Sequence, residues 1–337
     1  MGRKIKAGIN TTKSNWDYVF SNETKSGLAG YLKFDKNLLS TDPSPNTVAK
    51  SCSEAEIIIS TWGAVPYTEK ILESCPDLNL ILYAAGTFKP YVTPELQQCK
   101  VTVCTAAHLN AVPTAEFTLG IILSSLKNVY SYHADFLQSG AKAWERDKEH
   151  FNGGYYRTRI GLLGFGMITR HLVRLLTSFE MDVYVESSHV SEGELTKYNA
   201  RRQSLEWIMS NCDVVSIHKS DIPKNLDLIN RDNLKLMKKG ARLINTARGR
   251  LINESDLVEK LKEGEITAYL DVTYPEPPEE GHPFYSLPNC ILTPHIAGSI
   301  GAEVTRMGDY CLRELRNWIQ GKPLENPIDI NSLEERA

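Results

Sequence analysis

An α/β protein built on parallel sheets is predicted by three features of this 337-residue chain. Short apolar runs alternate with helix-like segments almost throughout, the pattern of strands joined by crossover helices. The strand candidates fall into two series, one in the first third and one beginning near residue 159. The length suits two domains, each large enough to bury its own core.

The first series comprises Ile5–Ile9, Glu56–Ser60, Leu78–Ala84 and Val101–Cys104. A long helical pattern follows from Thr114 to Phe136, with Pro113 placed to open it. The second series runs through Arg159–Leu163, Met181–Val185, Asp213–Ile217, Ala241–Asn245, Ile266–Leu270 and Cys290–Leu292. Before Ile266 lies a well-signalled helix: Asn253 caps it, Asp256 sits three residues on, and Gly264 ends it. A last helix, from Gly301 to Gln320, meets a stop at Gly321-Lys322-Pro323. No repeat of solenoid length stands out, and the one biased segment is Pro275–Pro283, rich in Pro and Glu.

Composition narrows the partners. A net charge of −3 gives no electrostatic footprint for nucleic acid or an anionic membrane. The start, Met1-Gly2-Arg3-Lys4-Ile5-Lys6, lacks the apolar core of a secretory signal, and no uninterrupted apolar run is long enough to span a bilayer. Seven cysteines, an odd number without C-x-x-C spacing, argue against a disulfide framework and a metal site. A reducing cytoplasm is the expected location.

The strand Arg159–Leu163 ends in Gly164-Phe165-Gly166-Met167-Ile168-Thr169, followed by an amphipathic helix. Two glycines there allow a tight turn and close approach of a dinucleotide pyrophosphate to the helix N-terminus. Thr169 stands where a third small residue is usual, so helix and strand should pack less closely. By itself the turn also fits an ordinary strand-to-helix connection.

Chemistry-bearing side chains gather where such a sheet binds ligands, at the carboxyl ends of its strands. His218 follows Asp213–Ile217, and Arg248 follows Ala241–Asn245 within Asn245-Thr246-Ala247-Arg248-Gly249. Asp271 closes Ile266–Leu270, Glu276 stands on the proline-stiffened loop beyond, and His295 follows Cys290–Leu292. Each alone has a structural explanation; five ionisable groups at one predicted edge, behind a dinucleotide turn, point to a site. Reduction of a carbonyl needs a proton donor for the developing alkoxide, and histidine titrates in the right range. A carboxylate partner favours its charged form. Arginine supplies a planar fork for a carboxylate beside the reacting carbonyl.

These stretches resemble the D-isomer-specific 2-hydroxyacid dehydrogenase family. The likeness runs through Ile160–Gly166, Val214–His218, Asn230–Leu261, Leu270–Pro278 and Leu287–Gly298. It implies two doubly wound parallel-sheet domains, a Rossmann-type cofactor domain (108–298) inserted into a flavodoxin-like substrate domain (1–107 and 299–337). It also implies hydride transfer between a nicotinamide cofactor and a 2-keto acid or (D)-2-hydroxy acid. His295 would be the acid/base, Glu276 its partner and Arg248 the substrate-binding arginine. The cofactor, NAD with NADP not excluded, would meet Gly164, Phe165, Gly166, Met167 and Ile168 at the pyrophosphate turn. Glu186 and Ser187 would meet the ribose. His218, Thr246, Asp271 and Gly298 complete the set, Asp271 engaging the nicotinamide carboxamide. A homodimer joined through cofactor domains is the family's usual assembly.

Departures qualify the resemblance. Where many members read Ala-Gly-Val-Gly-Val-Asp in the substrate loop, this chain has Ala85-Gly86-Thr87-Phe88-Lys89-Pro90. Gly86 and Thr87 still offer N–H groups to a substrate carboxylate. Phe88 has two readings, a wall of the substrate pocket or a residue of the first domain's core. Ser187 stands at the usual Asp position, with Glu186 just before it, and Arg201 or Arg202 is the available positive partner for a phosphate. Two other activities share the scaffold. Formate dehydrogenases typically carry Gln where Glu276 stands. Nicotinamide-sensing regulators resembling the C-terminal-binding corepressors keep the trio, but carry disordered extensions not evident here.

Overall fold

Thirteen strands order the chain: β1 (Ile5–Asn10), β2 (Leu32–Lys33), β3 (Ile57–Ser60), β4 (Leu80–Tyr83), β5 (Thr102–Thr105), β6 (Arg159–Leu163), β7 (Asp182–Glu186), β8 (Ala200–Arg202), β9 (Val214–Ile217), β10 (Arg242–Asn245), β11 (Thr267–Leu270), β12 (Cys290–Leu292) and β13 (Pro327–Ile328). The computed structural model describes residues 4–34, 39–145 and 153–333. Met1, Gly2 and Arg3, on which part of the leader expectation rests, lie outside them. So do the last four residues of the expected discontinuous domain. The chain divides into two units, Met1–Ala111 with Ser299–Ala337, and Val112–Gly298. The first junction, expected at 107/108, thus lies at 111/112.

In the first unit the sheet order is β13-β5-β4-β3-β1-β2, parallel except for β13. Strand alternation sends Ile57, Ile59, Leu80 and Leu82 to one face, against Trp16, Phe20 and the helix Thr305–Ile319. Ile58, Ile81, Tyr83 and Val103 turn to the other, against Val48, Ile71 and Leu96. Burial on both faces explains why these strands read as unbroken apolar runs.

The second unit holds an all-parallel sheet of order β12-β11-β10-β9-β6-β7-β8. This is the doubly wound arrangement, with the strand order reversing between β6 and β9. Val215, Ile217, Leu243 and Leu270 face one helical layer, and Ile160, Leu162, Val185 and Ile244 the other. Gly161 lies within β6 because a Cβ there would sit 2.3 Å from Ile208. Close helix–sheet packing is therefore secured from inside the strand.

Two expectations are corrected. The long helix does not open at Pro113: it runs Ala107–Leu126 with Pro113 inside it, and a separate helix follows at Val129–Ser139. The break falls at Asn128, in the left-handed region at φ 49°, its side chain accepting a hydrogen bond from Arg242. That same Ala107–Leu126 helix is, by length and composition, apolar enough to cross a membrane, although no such run was expected. Half of it is buried inside the fold, where Ala115, Ile122 and Leu126 pack against Ile160 and Leu162.

Candidate active site

The glycine turn leaves β6 at the point where the strand order reverses. Gly164 has φ +102°, and a Cβ there would lie 2.6 Å from the His218 carbonyl oxygen. Its N–H donates to the Glu186 carbonyl at 2.8 Å, so the turn is fastened to β7. Gly166 caps the helix Met167–Leu176, and a Cβ there would meet nothing within 4 Å. The first intrahelical bond runs from Arg170 N–H to the Gly166 carbonyl, which leaves the preceding N–H groups unpaired for an anion. Thr169 is fully buried, and its hydroxyl has no partner among the described residues. Phe165 lies under the Arg170 guanidinium, 4.8 Å from its ring centroid. An open helix N-terminus behind a turn that only glycine permits fits a dinucleotide pyrophosphate.

Glu186, at the end of β7, forms an ion pair of 2.5 Å with Lys219, which follows β9. Ser187 is buried, its hydroxyl accepting from the His189 N–H at 3.2 Å. Arg202 donates to the carbonyls of Ser187 and Val190 and pairs with Glu192. Its charge is thus held by the loop. Arg201 is exposed. His218 is half-buried, with Nε2 3.0 Å from the Ser216 hydroxyl, and Nδ1 has no partner among the described residues. Burial pushes its pKa down from the usual 6.5 to about 4, so it is neutral near pH 7.

Arg248 stands exposed on the turn after β10. Asn245, wholly buried, shapes that turn: its side chain accepts from the Ala247 N–H at 3.0 Å and donates to the Arg248 carbonyl at 2.9 Å. Arg248 Nη1 donates to the Ala247 carbonyl at 2.5 Å. The next residue, Gly249, lets the loop beyond β11 pass against it. A Cβ there would sit 2.1 Å from the carbonyl carbon of Thr273. The same loop is tied by Glu254, in the first turn of the helix Glu254–Lys262, which accepts the Tyr274 N–H at 2.8 Å. Burial raises the pKa of this carboxyl, the Tyr274 bond opposing it.

Two residues on, Glu276 meets His295, with Oε1 2.5 Å from Nδ1. Both side chains are nearly half exposed, so the pair is open to a substrate. His295 lies in the left-handed region at φ 52°, uncommon for a residue with a side chain, and Asp271 holds the loop around it. Asp271 accepts from the Thr293 hydroxyl at 2.6 Å and from the Ile296 and Ala297 N–H groups at 2.9 Å, while its carbonyl accepts the His295 N–H at 3.0 Å. The carboxylate expected to engage a nicotinamide carboxamide is buried and largely satisfied by the loop that carries His295. Thr246 is also buried, its hydroxyl 3.1 Å from that of Thr118. Phe117, Ile121, Thr246, Asp271 and Thr293 help line a small depression beside the strand ends. Gly298 closes the unit, half-buried.

In the first unit, Gly86, Thr87 and Phe88 follow β4 at the carboxyl edge of its own sheet. A Cβ on Gly86 would lie 3.3 Å from the Asn110 amide. The Phe88 ring does not face outward as a pocket wall. It is 2% exposed and its centroid lies 5.7, 5.2 and 5.9 Å from those of Tyr67, Tyr83 and Tyr91. Its bulk belongs to an aromatic core, which removes it from the substrate set.

Sequence reasoning missed Asn245, Glu254 and Lys219. Asn245 ends a strand just before the arginine turn, and Glu254 opens a capped helix. Those signals were visible but indistinguishable from ordinary turn chemistry.

Residues 119–297 match the family model described as D-isomer specific 2-hydroxyacid dehydrogenase, NAD binding domain. A glyoxylate reductase of Thermofilum pendens is 30% identical over 259 residues, covering 75% of each chain. A D-3-phosphoglycerate dehydrogenase of Methanocaldococcus jannaschii is 26% identical over 83% of this chain, which spans only 53% of that protein's length. The Rhodotorula graminis D-mandelate dehydrogenase structure superposes with a TM-score of 0.81 at 19% identity, covering 97% of this chain and 98% of its own, which bears on the fold alone. The chain belongs to the D-isomer specific 2-hydroxyacid dehydrogenase family, and its second unit carries that family's nicotinamide-dinucleotide domain.

Proposed function

We propose that this protein is an oxidoreductase that interconverts a 2-keto acid and a (D)-2-hydroxy acid with a nicotinamide cofactor. The contact of His295 with Glu276 carries the reading, because an imidazole held by a carboxylate at the edge of a dinucleotide sheet is suited to acid/base work. A nicotinamide cofactor, when bound, would supply the hydride for reduction of the carbonyl carbon. His295, its Nδ1 held by Glu276, delivers a proton from Nε2 to the forming alkoxide. Arg248 grips the substrate carboxylate and polarises the neighbouring oxygen. In the reverse direction His295 takes the hydroxyl proton.

NAD is favoured over NADP, a preference supported by the Glu186 carboxylate at the end of β7, which can accept ribose hydroxyls. A homodimer through the nucleotide-binding units is supported by apolar side chains exposed on and after the helix Val129–Ser139, Leu137 at 76% and Trp144 at 72%. Seven free cysteines, five of them buried, suit a reducing cytoplasm.

NADH oxidation across pyruvate, glyoxylate, hydroxypyruvate, phenylpyruvate and branched-chain keto acids tests the reading. Saturable turnover on at least one is expected. Tight NADH binding with no turnover on any would instead favour a nicotinamide-sensing regulator.

A further inference from the structure

The ion pair between Glu186 and Lys219 spans the end of β6. In the sheet, β6 lies between β9 and β7, and the two side chains come from the ends of those flanking strands. They therefore close over the strand from which the glycine turn departs. Both are mostly buried, 25% and 20% exposed, and Glu186 Oε2 is entirely enclosed. This is no solvated surface pair that opens at little cost. Of the two arginines ending β8, Arg202 is paired with Glu192 and donates to a loop carbonyl, while Arg201 is exposed.

We propose that Lys219 sets how sharply this protein distinguishes NADH from NADPH, making the discrimination shallow by neutralising Glu186. The inference rests on the dinucleotide reading of the second unit and deepens it. A lone carboxylate at the ribose end of such a site repels a 2′-phosphate. With Lys219 in contact, the local charge sums to zero, so the carboxylate's repulsion of a 2′-phosphate is largely cancelled. The Lys219 contact is made by Glu186 Oε2, which leaves Oε1 to accept a ribose hydroxyl. Lys219 is thus a positioning residue acting through Glu186, and the site admits both cofactors with a modest preference for NADH.

The test is direct binding, read from nicotinamide fluorescence, of NADH and NADPH to the wild-type protein, Lys219→Met and Glu186→Gln. Lys219→Met should raise the ratio of the NADPH Kd to the NADH Kd about tenfold, the size expected for one unit charge a few ångströms from a phosphate in a partly hydrated site. Glu186→Gln should lower that ratio several-fold. Both ligands are measured on one preparation, so partial unfolding leaves the ratio unmoved. A ratio within twofold of wild type in Lys219→Met overturns the role of Lys219. A wild-type protein that binds neither dinucleotide overturns the underlying reading instead, a result plainly different from an unchanged ratio.

Discussion

Gly249 lies so close beneath Thr273 that a single added carbon would stand 2.1 Å from the Thr273 carbonyl carbon and 2.2 Å from its oxygen. The obstacle is backbone, so no rotamer change relieves it. Thr273 begins the loop that carries Glu276 to His295, and Gly249 follows Arg248. One close approach therefore sets two parts of the site.

Gly249→Ala should retain the fold at a cost of about 1–3 kcal/mol, the usual penalty for forced backbone shifts. It should lower kcat on the best keto acid by about 100-fold, since displacement by an ångström is enough to misplace a proton donor. Denaturant melts and steady-state kinetics on the same sample check both. Near-wild-type kcat would show that the loop is free to yield.

His295→Ala should reduce turnover by about two to four orders of magnitude, the range for a positioned acid/base. NADH affinity should change less than threefold, because the pyrophosphate turn is elsewhere on the sheet edge. Glu276→Gln keeps a side chain of the same shape but no longer dictates which imidazole nitrogen carries the proton, and should cost roughly 10–100-fold in kcat. If Glu276→Gln matches wild type, the 2.5 Å contact has no catalytic part.

Arg248→Lys preserves charge yet should still lower kcat/KM by two orders of magnitude or about that. The guanidinium is oriented by its own Nη1 bond to the Ala247 carbonyl, and a flexible ammonium cannot reproduce that anchoring along with a two-pronged grip. A lysine variant within threefold of wild type would remove Arg248 from the substrate site.

His218 predicts an acid sensitivity. Its pKa falls from 6.5 to about 4 on burial, so the unfolded chain binds its proton first as pH drops. The stabilisation is complete above pH 6.5 and is lost progressively toward pH 4, up to about 3 kcal/mol in all. Unfolding free energies of wild type and His218→Gln, compared from pH 7 to pH 4, isolate this part from carboxylate titration. Parallel curves would mean that His218 takes up its proton without resistance.

Phe88→Ala should destabilise the protein by about 3–5 kcal/mol, as truncation of a core aromatic does. Losses in kcat/KM, measured below the melting transition, should be equal for glyoxylate and for bulky keto acids. A selective loss on bulky substrates would return Phe88 to the pocket.

The parallel sheets were legible because strands such as β3 and β4 are buried on both faces and so appear as unbroken apolar runs. Strands β2, β8 and β13 were not, each being two or three residues long and stabilised by pairing with a neighbour. Pro113 misled because one missing N–H is tolerated inside a twenty-residue helix whose face is otherwise well packed. At the site, Arg248, Glu276 and His295 could be found from their positions after strand ends. What could not be read was the scaffold between them. The grip of Asp271 on the His295 loop and the reach of Lys219 over β6 depend on loop paths that no local pattern specifies.

The discontinuity of the first unit imposes an order of assembly. Strand β13 pairs with β5, and Val304, Met307, Tyr310 and Leu315 are fully buried in a core most of whose members lie before Ala111. A ribosome must translate the whole of Val112–Gly298 before those side chains exist, a delay of roughly 10–40 s at ordinary elongation rates. Throughout that interval the amino-terminal sheet shows water an uncovered apolar face. The inserted unit has all its strands in hand first, so it is the later-made half of the molecule that matures earlier. Nascent chains of this protein therefore pass through a stage at which chaperone occupancy should concentrate on the amino-terminal segment and end when the helix Thr305–Ile319 emerges.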